Sequence, residues 1–205
     1  SNATLRTVIL KAKAGQMTND AIERAIKRGT GESDGGTYEA IMYEGYAPGG
    51  VGILIDVLTD NRNRTGSEIR AIFSKLGGAM AEPGAVGWQF SRRGLVQVSR
   101  KASEDDVMMA ALEAGADDIT DQGESWQVAC EPSDLFEVKA ALEAAGLEVL
   151  SAETTMLAAN TIPVSDTEDA RKILRIIDTL EDNDDVQDVY SNFDIADELM
   201  SQLEV

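Results

Sequence analysis

Apolar positions along this chain switch between a helical and an alternating period, and the switches outline its elements. Leu5, Val8, Ile9 and Ala12 recur at helical spacing, and Gly15 closes that helix. A second helix is predicted over residues 18–28, with Ala21, Ile22, Ala25 and Ile26 as its apolar stripe. Arg24, Lys27 and Arg28 stand at i, i+3 and i+4 and share one of its faces. The run TGESDGG over residues 30–36 reads as a flexible linker. Residues 38–46 (YEAIMYEGY) then read as a strand or strand-like arm, and Gly49-Gly50 as a turn. Residues 51–59 (VGILIDVLT) are apolar and β-branched, which predicts a central strand.

The polar segment TDNRNRT follows. Thr65 and Glu68 have the spacing of a capping box, opening a helix whose inner face is Ile69, Ile72, Phe73 and Leu76 and which Gly77-Gly78 ends. Pro83-Gly84 turns the chain into a predicted strand with Val86, Trp88 and Phe90 on one face, and residues 95–98 into another. Next come a helix over 104–115, strands around Ile119 and over 126–130, a helix over 133–145 and a strand over 147–157. A further strand over 160–165 precedes a helix over 166–182 with Ile173, Leu174, Ile176, Ile177 and Leu180 on its core face. A last strand over 186–192 and a short helix over 195–203 complete the pattern.

The strings AALEAG (residues 110–115) and AALEAAG (residues 140–146) echo one another, each a helix end leading into a strand. Amphipathic helices must bury their stripes on a sheet face. The expected fold is therefore α+β: an N-terminal helical piece followed by two ferredoxin-like βαββαβ domains, the second inserted into the first. Residues 1–34 would be the remnant of an N-terminal helical domain, with 1–3 left from a cleaved tag. Residues 35–94 plus 156–205 would form a discontinuous α/β domain, and 95–155 an inserted acidic one. Strands 86–91 and 156–164 should then share a sheet.

Charge sharpens this division. Among 205 residues, 18 Lys and Arg face 37 Asp and Glu, a formal net charge of −19. Residues 1–35 hold 6 basic and 4 acidic side chains and residues 36–100 hold 7 and 6, whereas residues 101–155 hold 2 and 14 and residues 156–205 hold 3 and 13. Phosphate affinity comes from Lys and Arg. Only the first hundred residues could face a polyanion, while the acidic half would point away or meet a basic protein; alternatively, its charge serves solubility alone.

Several chemistries are excluded. With no histidine, every His-based triad and the commonest general base at neutral pH are absent. The single cysteine, Cys130, can form no intramolecular disulfide, has no His partner, and reads as a buried structural thiol in a reducing, cytoplasmic setting. No apolar run approaches the roughly 20 residues of a membrane span. There is no phosphate-binding P-loop, and the glycines at 45, 49, 50 and 52 open no helix and so make no dinucleotide fingerprint. The acidic pairs Asp105-Asp106, Asp117-Asp118 and Asp184-Asp185 lack the spacing of a cation loop and read as solvated faces or helix-end charges. No catalytic residue, metal or cofactor is expected.

The segment that could carry function is LTDNRNRTGSEIR, residues 58–70. Asn61, Arg62, Asn63 and Arg64 supply donors suited to phosphate oxygens and base edges, beside a helix N-terminus favourable to an anion. The competing reading is a capped loop whose arginines pair with Asp60 and Glu68. Arg92-Arg93, expected in a turn, is a second candidate, and Lys11, Lys13, Arg24, Lys27 and Arg28 are a third.

The stretches IERAIKRGTGE, YEGYAPGGVGILIDVLTDNRNRT, EIRAIFSKLGG and GWQFSRRG resemble the YebC/PmpR family of probable transcriptional regulators, which also includes a mitochondrial translational activator. The resemblance covers nearly the whole chain after residue 3 and is closest over 19–94. It implies a three-part cytoplasmic protein that binds nucleic acid without catalysis or cofactor. The partner would be DNA at promoters for transcriptional members, and RNA on the ribosome for the translational alternative. By position it carries over Lys27, Arg28, Asn61, Arg62, Asn63, Arg64, Arg92 and Arg93. The family opens with a basic segment resembling GHSKWANIKHRK, which this chain does not contain, so the natural N-terminus is expected to be missing and binding by this chain to be weak and salt-sensitive.

Overall fold

A computed structural model of the chain describes residues 17–30 and 37–196 together with positions 5, 8, 9, 12 and 199, leaving aside the side chains of residues 20, 21, 24 and 28. Leu5, Val8, Ile9 and Ala12 are helical, as their spacing predicts. Lys11, Lys13, the side chains of Arg24 and Arg28, the linker over 31–36 and most of the predicted tail helix lie outside the described residues.

In chain order the elements are α1 (Asn19–Gly29), β1 (Glu39–Tyr46), β2 (Gly52–Thr59), α2 (Arg62–Leu76), β3 (Ala79–Ala81) and β4 (Phe90–Ser99). They continue with α3 (Glu104–Glu113), β5 (Ala116–Asp121), β6 (Ser125–Cys130), α4 (Leu135–Ala144) and β7 (Val149–Ala158). Last come β8 (Ile162–Val164), α5 (Thr167–Glu181), β9 (Val186–Ser191) and β10 (Phe193–Ile195).

The first sheet has the order β3-β1-β2-β9, antiparallel throughout. The alternation of β2 sends Ile53, Ile55 and Val57 to one face, each fully buried against Ile69 and Phe73 of α2 and Ile173, Ile176 and Leu180 of α5. Each such side chain removes enough apolar surface to contribute about 1.5–3 kcal/mol. Position 45 in β1 must be glycine, because a Cβ there would stand 2.3 Å from the Phe73 ring. Gly77, in the left-handed region at φ 88°, ends α2 as the sequence predicts.

The second sheet has the order β5-β6-β4-β7, also antiparallel, and α3 and α4 cover one of its faces. Val96, Val98, Val128, Val107, Val138 and Leu142 fill this separate core. Trp126 closes its edge, its indole N–H donating to the Ala102 carbonyl at 3.0 Å and the Arg100 guanidinium lying 3.9 Å from its ring centroid. A third, small cluster joins the two halves: Leu54, on the other face of β2, packs with Val86 and Phe90, flanked by Met156, Ala158 and Tyr190.

Four expectations require correction. Residues 86–91 do not form a strand with Trp88 turned inward. Gly87–Gln89 is a single 3-10 turn, Trp88 is 76% exposed, and the strand begins only at Phe90. The reason lies in Glu44, a side chain only 8% exposed. Its carboxylate accepts the backbone N–H groups of Gly84 (2.7 Å), Val86 (2.6 Å) and Gly87 (2.8 Å), which bends this segment into a turn. Second, Arg92-Arg93 lie within unbroken β4, not in a turn, because β7 is long enough to pair with it from Phe90 opposite Ala158 to Val98 opposite Val149. Phe90 and Ser91 thus share a sheet with Leu157 and Ala158, but it is the second sheet, while Trp88 and Thr161 belong to neither. The first sheet is completed instead by the β1–β2 hairpin, in register over eight residue pairs. Third, the strand expected over 160–165 is only Ile162–Val164 and pairs in parallel with β10. Ile195, expected to open the tail helix, closes β10. Fourth, the cap of α2 is Asn61 rather than Thr65.

Burial pulls the Glu44 pKa up, but the three backbone donors outweigh it and hold the group below the ordinary 4.5. A depressed carboxylate stabilises the fold fully above its unfolded value, and the contribution is lost as pH falls through the folded value. Glu44→Ala should therefore cost about 3 kcal/mol at pH 7 and reduce the loss of stability between pH 5 and pH 3, measured by urea denaturation across that range.

Candidate nucleic-acid interface

Asn61 leaves β2 and caps α2, its Oδ1 accepting the Arg64 N–H at 3.1 Å. Thr65 is freed for another role. It is fully buried, and its hydroxyl donates to Asp185 Oδ2 at 2.6 Å. Thr59, also fully buried, accepts the Asn61 N–H at 2.9 Å and lies 2.8 Å from the Thr65 hydroxyl. Arg64 donates to the same Asp185 oxygen at 2.7 Å and to Asp60 at 3.0 Å. The Leu58 N–H donates to the Asp185 carbonyl at 2.9 Å, and Asn183 donates to Glu68 at 3.0 Å. The end of β2, the start of α2 and the loop before β9 are thereby tied together. Burial pulls the Asp185 pKa up, but Thr65, then Arg64 and Thr59, hold it below the ordinary 3.8.

The four-residue loop thus divides. Asn61 and Arg64 bind to their own fold, whereas Arg62 and Asn63 are exposed. Arg64 also borders a groove of about 870 Å³, whose lining includes the carboxylates of Asp60, Glu68, Asp182, Asp184 and Asp185. A polyanion is repelled there. The other side of α2 is different in kind. Asn63, Gly66, Ser67, Arg70 and Ser74 follow one another at helical spacing, and with Arg62, Tyr43, Ala71 and Met80 they line a groove of about 490 Å³ that contains no carboxylate. Gly66 permits the approach of Tyr43, whose hydroxyl donates to the Arg62 carbonyl at 3.2 Å. Among the described residues, neither Arg62 nor Arg70 has a carboxylate within ion-pair distance.

The remaining candidates are dispersed. Arg93 is only 20% exposed at its side chain and pairs with Glu131 at 2.6 Å and with Asp117. Arg92 is exposed on β4 and acts electrostatically on Asp56 and Tyr190. Asp56 and Asp188 stand directly opposite one another on β2 and β9. Burial, and then Asp188, push the Asp56 carboxyl up, and Arg92 pulls it back. Burial and the same two carboxylates push Tyr190 up to about 12. Lys27 is exposed on α1. Cys130 is fully buried, its thiol pushed up chiefly by burial, then by Asp134. Among the described residues, no group of three or more His, Cys, Asp or Glu is placed to hold a metal ion, and no helix is long and apolar enough to cross a membrane.

Sequence reasoning missed two residues. Arg70 was within reach, since Arg62, Gly66 and Arg70 are spaced i, i+4 and i+8. Asp185 was not, because 120 residues separate it from Thr65 and nothing local distinguishes it from other acids.

The fold and this helix face define an α+β protein of two antiparallel-sheet units, with a cationic groove on an otherwise acidic molecule. Residues 38–193 match the family described as TACO1/YebC second and third domain, and the chain belongs to that family. A probable transcriptional regulatory protein of Acidithiobacillus ferrooxidans is 55% identical over 204 residues, covering 100% of this chain and 81% of the relative. One from Thermobifida fusca, similarly named, is 52% identical over 204 residues, covering 98% and 82%. A crystal structure of a conserved hypothetical protein from Aquifex aeolicus superposes with a TM-score of 0.78 at 42% identity, covering 96% of this chain and 81% of that one.

The ties to Asp185 are structural, so Asp185→Ala should take a charged acceptor from two buried threonine hydroxyls and cost about 2 kcal/mol. Arg64→Ala should cost less, and its effect should shrink in the Asp185→Ala background to what its pair with Asp60 contributes. A double-mutant cycle by urea denaturation reads the coupling directly.

Proposed function

We propose that this protein is a non-enzymatic regulator of gene expression that binds nucleic acid, and that the outer face of α2 meets the phosphate backbone of DNA. One observation carries the reading. In a chain of net charge −19, the groove holding Arg62 and Arg70 is lined without a single carboxylate. Eight residues of helix separate the two arginines by about 12 Å, enough to reach separate phosphates. Asn63, Ser67 and Ser74 add neutral donors of the kind that fix register on a phosphate backbone. The names of the relatives, probable transcriptional regulatory proteins, support DNA as the partner. The absence of histidine from the sequence supports a role without catalysis.

Arg62→Ala with Arg70→Ala should remove two phosphate contacts and lower the log-log salt slope of DNA binding by about 2. Melting temperature should hold, because both side chains are exposed and unpaired among the described residues. Arg64→Ala should do the reverse, lowering melting temperature and leaving the slope alone. An unchanged slope in the double variant would remove α2 from the interface. Crosslinking in cells with sequencing of bound DNA and RNA then tests the partner: promoter DNA supports the proposal, and ribosomal RNA overturns the choice of DNA.

A further inference from the structure

We infer that the outward face of α3 and α4 is a docking surface for a basic, amphipathic helical segment of a partner protein. The inference is independent of the nucleic-acid reading, which uses the other sheet.

The helix α3 is apolar on two sides. Val107 and Ala111 point into the core and are fully buried. Met108, Met109 and Leu112 recur at i, i+1 and i+4 on the opposite side, where they are 38%, 67% and 53% exposed. On the neighbouring α4, Phe136 is 72% exposed. One exposed apolar residue needs no explanation, but a stripe of three on one helix, with a fourth on the helix packed against it, does. Methionines suit such a surface because their unbranched, polarizable side chains adapt to a partner. A groove of about 550 Å³ runs between α3 and the end of α4, floored by Met109, Ala110, Ala145 and Leu147 and rimmed by Asp106 and Glu113.

Charge selects the occupant. Glu104, Asp105, Asp106 and Glu113 surround the stripe on α3, which contains no Lys or Arg. Within residues 101–155 the two lysines are already paired, Lys101 with Glu148 at 3.0 Å and Lys139 with Glu143 at 3.4 Å. Nucleic acid and anionic lipid are repelled by this face, and a second copy would set one acidic patch against another. A helix with leucines on one side and lysines flanking them satisfies both features, its apolar side chains entering the groove and its cations meeting the acidic rim.

The test is an NMR titration of the ¹⁵N-labelled chain with an 18-residue Leu/Lys amphipathic helical peptide. The controls are a peptide of identical composition in scrambled order and a Leu/Glu analogue. Shift changes confined to residues 104–115 and 133–147, with at least tenfold weaker binding of both controls, support the inference. Met109→Ser with Leu112→Ser, and separately Phe136→Ser, should each weaken the Leu/Lys peptide by tenfold or more; the second variant, on the other helix, keeps the test valid if the first perturbs α3. Equal binding of the scrambled peptide would reduce the effect to bulk charge. That result, shifts centred elsewhere, unchanged binding in both variants, or a concentration-dependent dimer abolished by either variant would each overturn it.

Discussion

The structure depends on the burial of β2 on both faces. Ile53, Ile55 and Val57 need a layer on one side, and α2 and α5 supply it from opposite ends of the chain. Leu54 needs cover on the other, which Val86 and Phe90 provide. Phe90 is also the first residue of β4, the strand on which the second sheet is built. One strand therefore organises its own core and the attachment of the other sheet. The Glu44 carboxylate completes that attachment, because the turn it holds delivers Val86 and Phe90 to Leu54. Backbone donors are satisfied there by a side chain, since no strand partner is present to do so.

A second constraint sits at the carboxyl end of β2. Asp185 gathers Thr59, Thr65 and Arg64, and so fixes where α2 begins and how it is rotated. Rotation decides which side chains face solvent. With Arg64 turned toward Asp185, Arg62, Asn63 and Arg70 are left on the opposite flank. An arginine consumed by structure thus orients those that remain available, and the acidic groove on the Arg64 side sets the polarity of the helix.

The two units divide the electrostatic labour. Arg62 and Arg70, neither of them ion-paired among the described residues, line one groove on α2, over the first sheet, while the helices of the second sheet combine carboxylates with exposed methionine, leucine and phenylalanine. On the two readings proposed, one face would meet phosphate and another a basic protein, with little competition between them. Local charge, rather than the total, governs each contact, because exposed charges more than about 10 Å apart are largely screened at moderate salt.

Much of this was legible in the residues. The apolar run of β2, the stripes of α2 and α5, the glycine that ends α2 and the acidic bias after residue 100 are local properties, and helix and strand periods report them faithfully. The Asn61–Arg64 loop stood out as polar and basic, with phosphate contact and structural pairing as competing readings. The sequence could not divide Arg64 from Arg62, or move the cap from Thr65 to Asn61, because the deciding group, Asp185, is 120 residues away. Nor could it show that Trp88 faces solvent or that Arg92 and Arg93 lie in mid-strand. Glu44 and β7 impose those outcomes from 42 residues before and some 60 after. Short-range patterning determines which residues form elements and which face is apolar. Which polar side chains are spent on the fold and which remain for a ligand is decided only by tertiary contact, because a buried carboxylate takes its partners from whatever the fold brings to it.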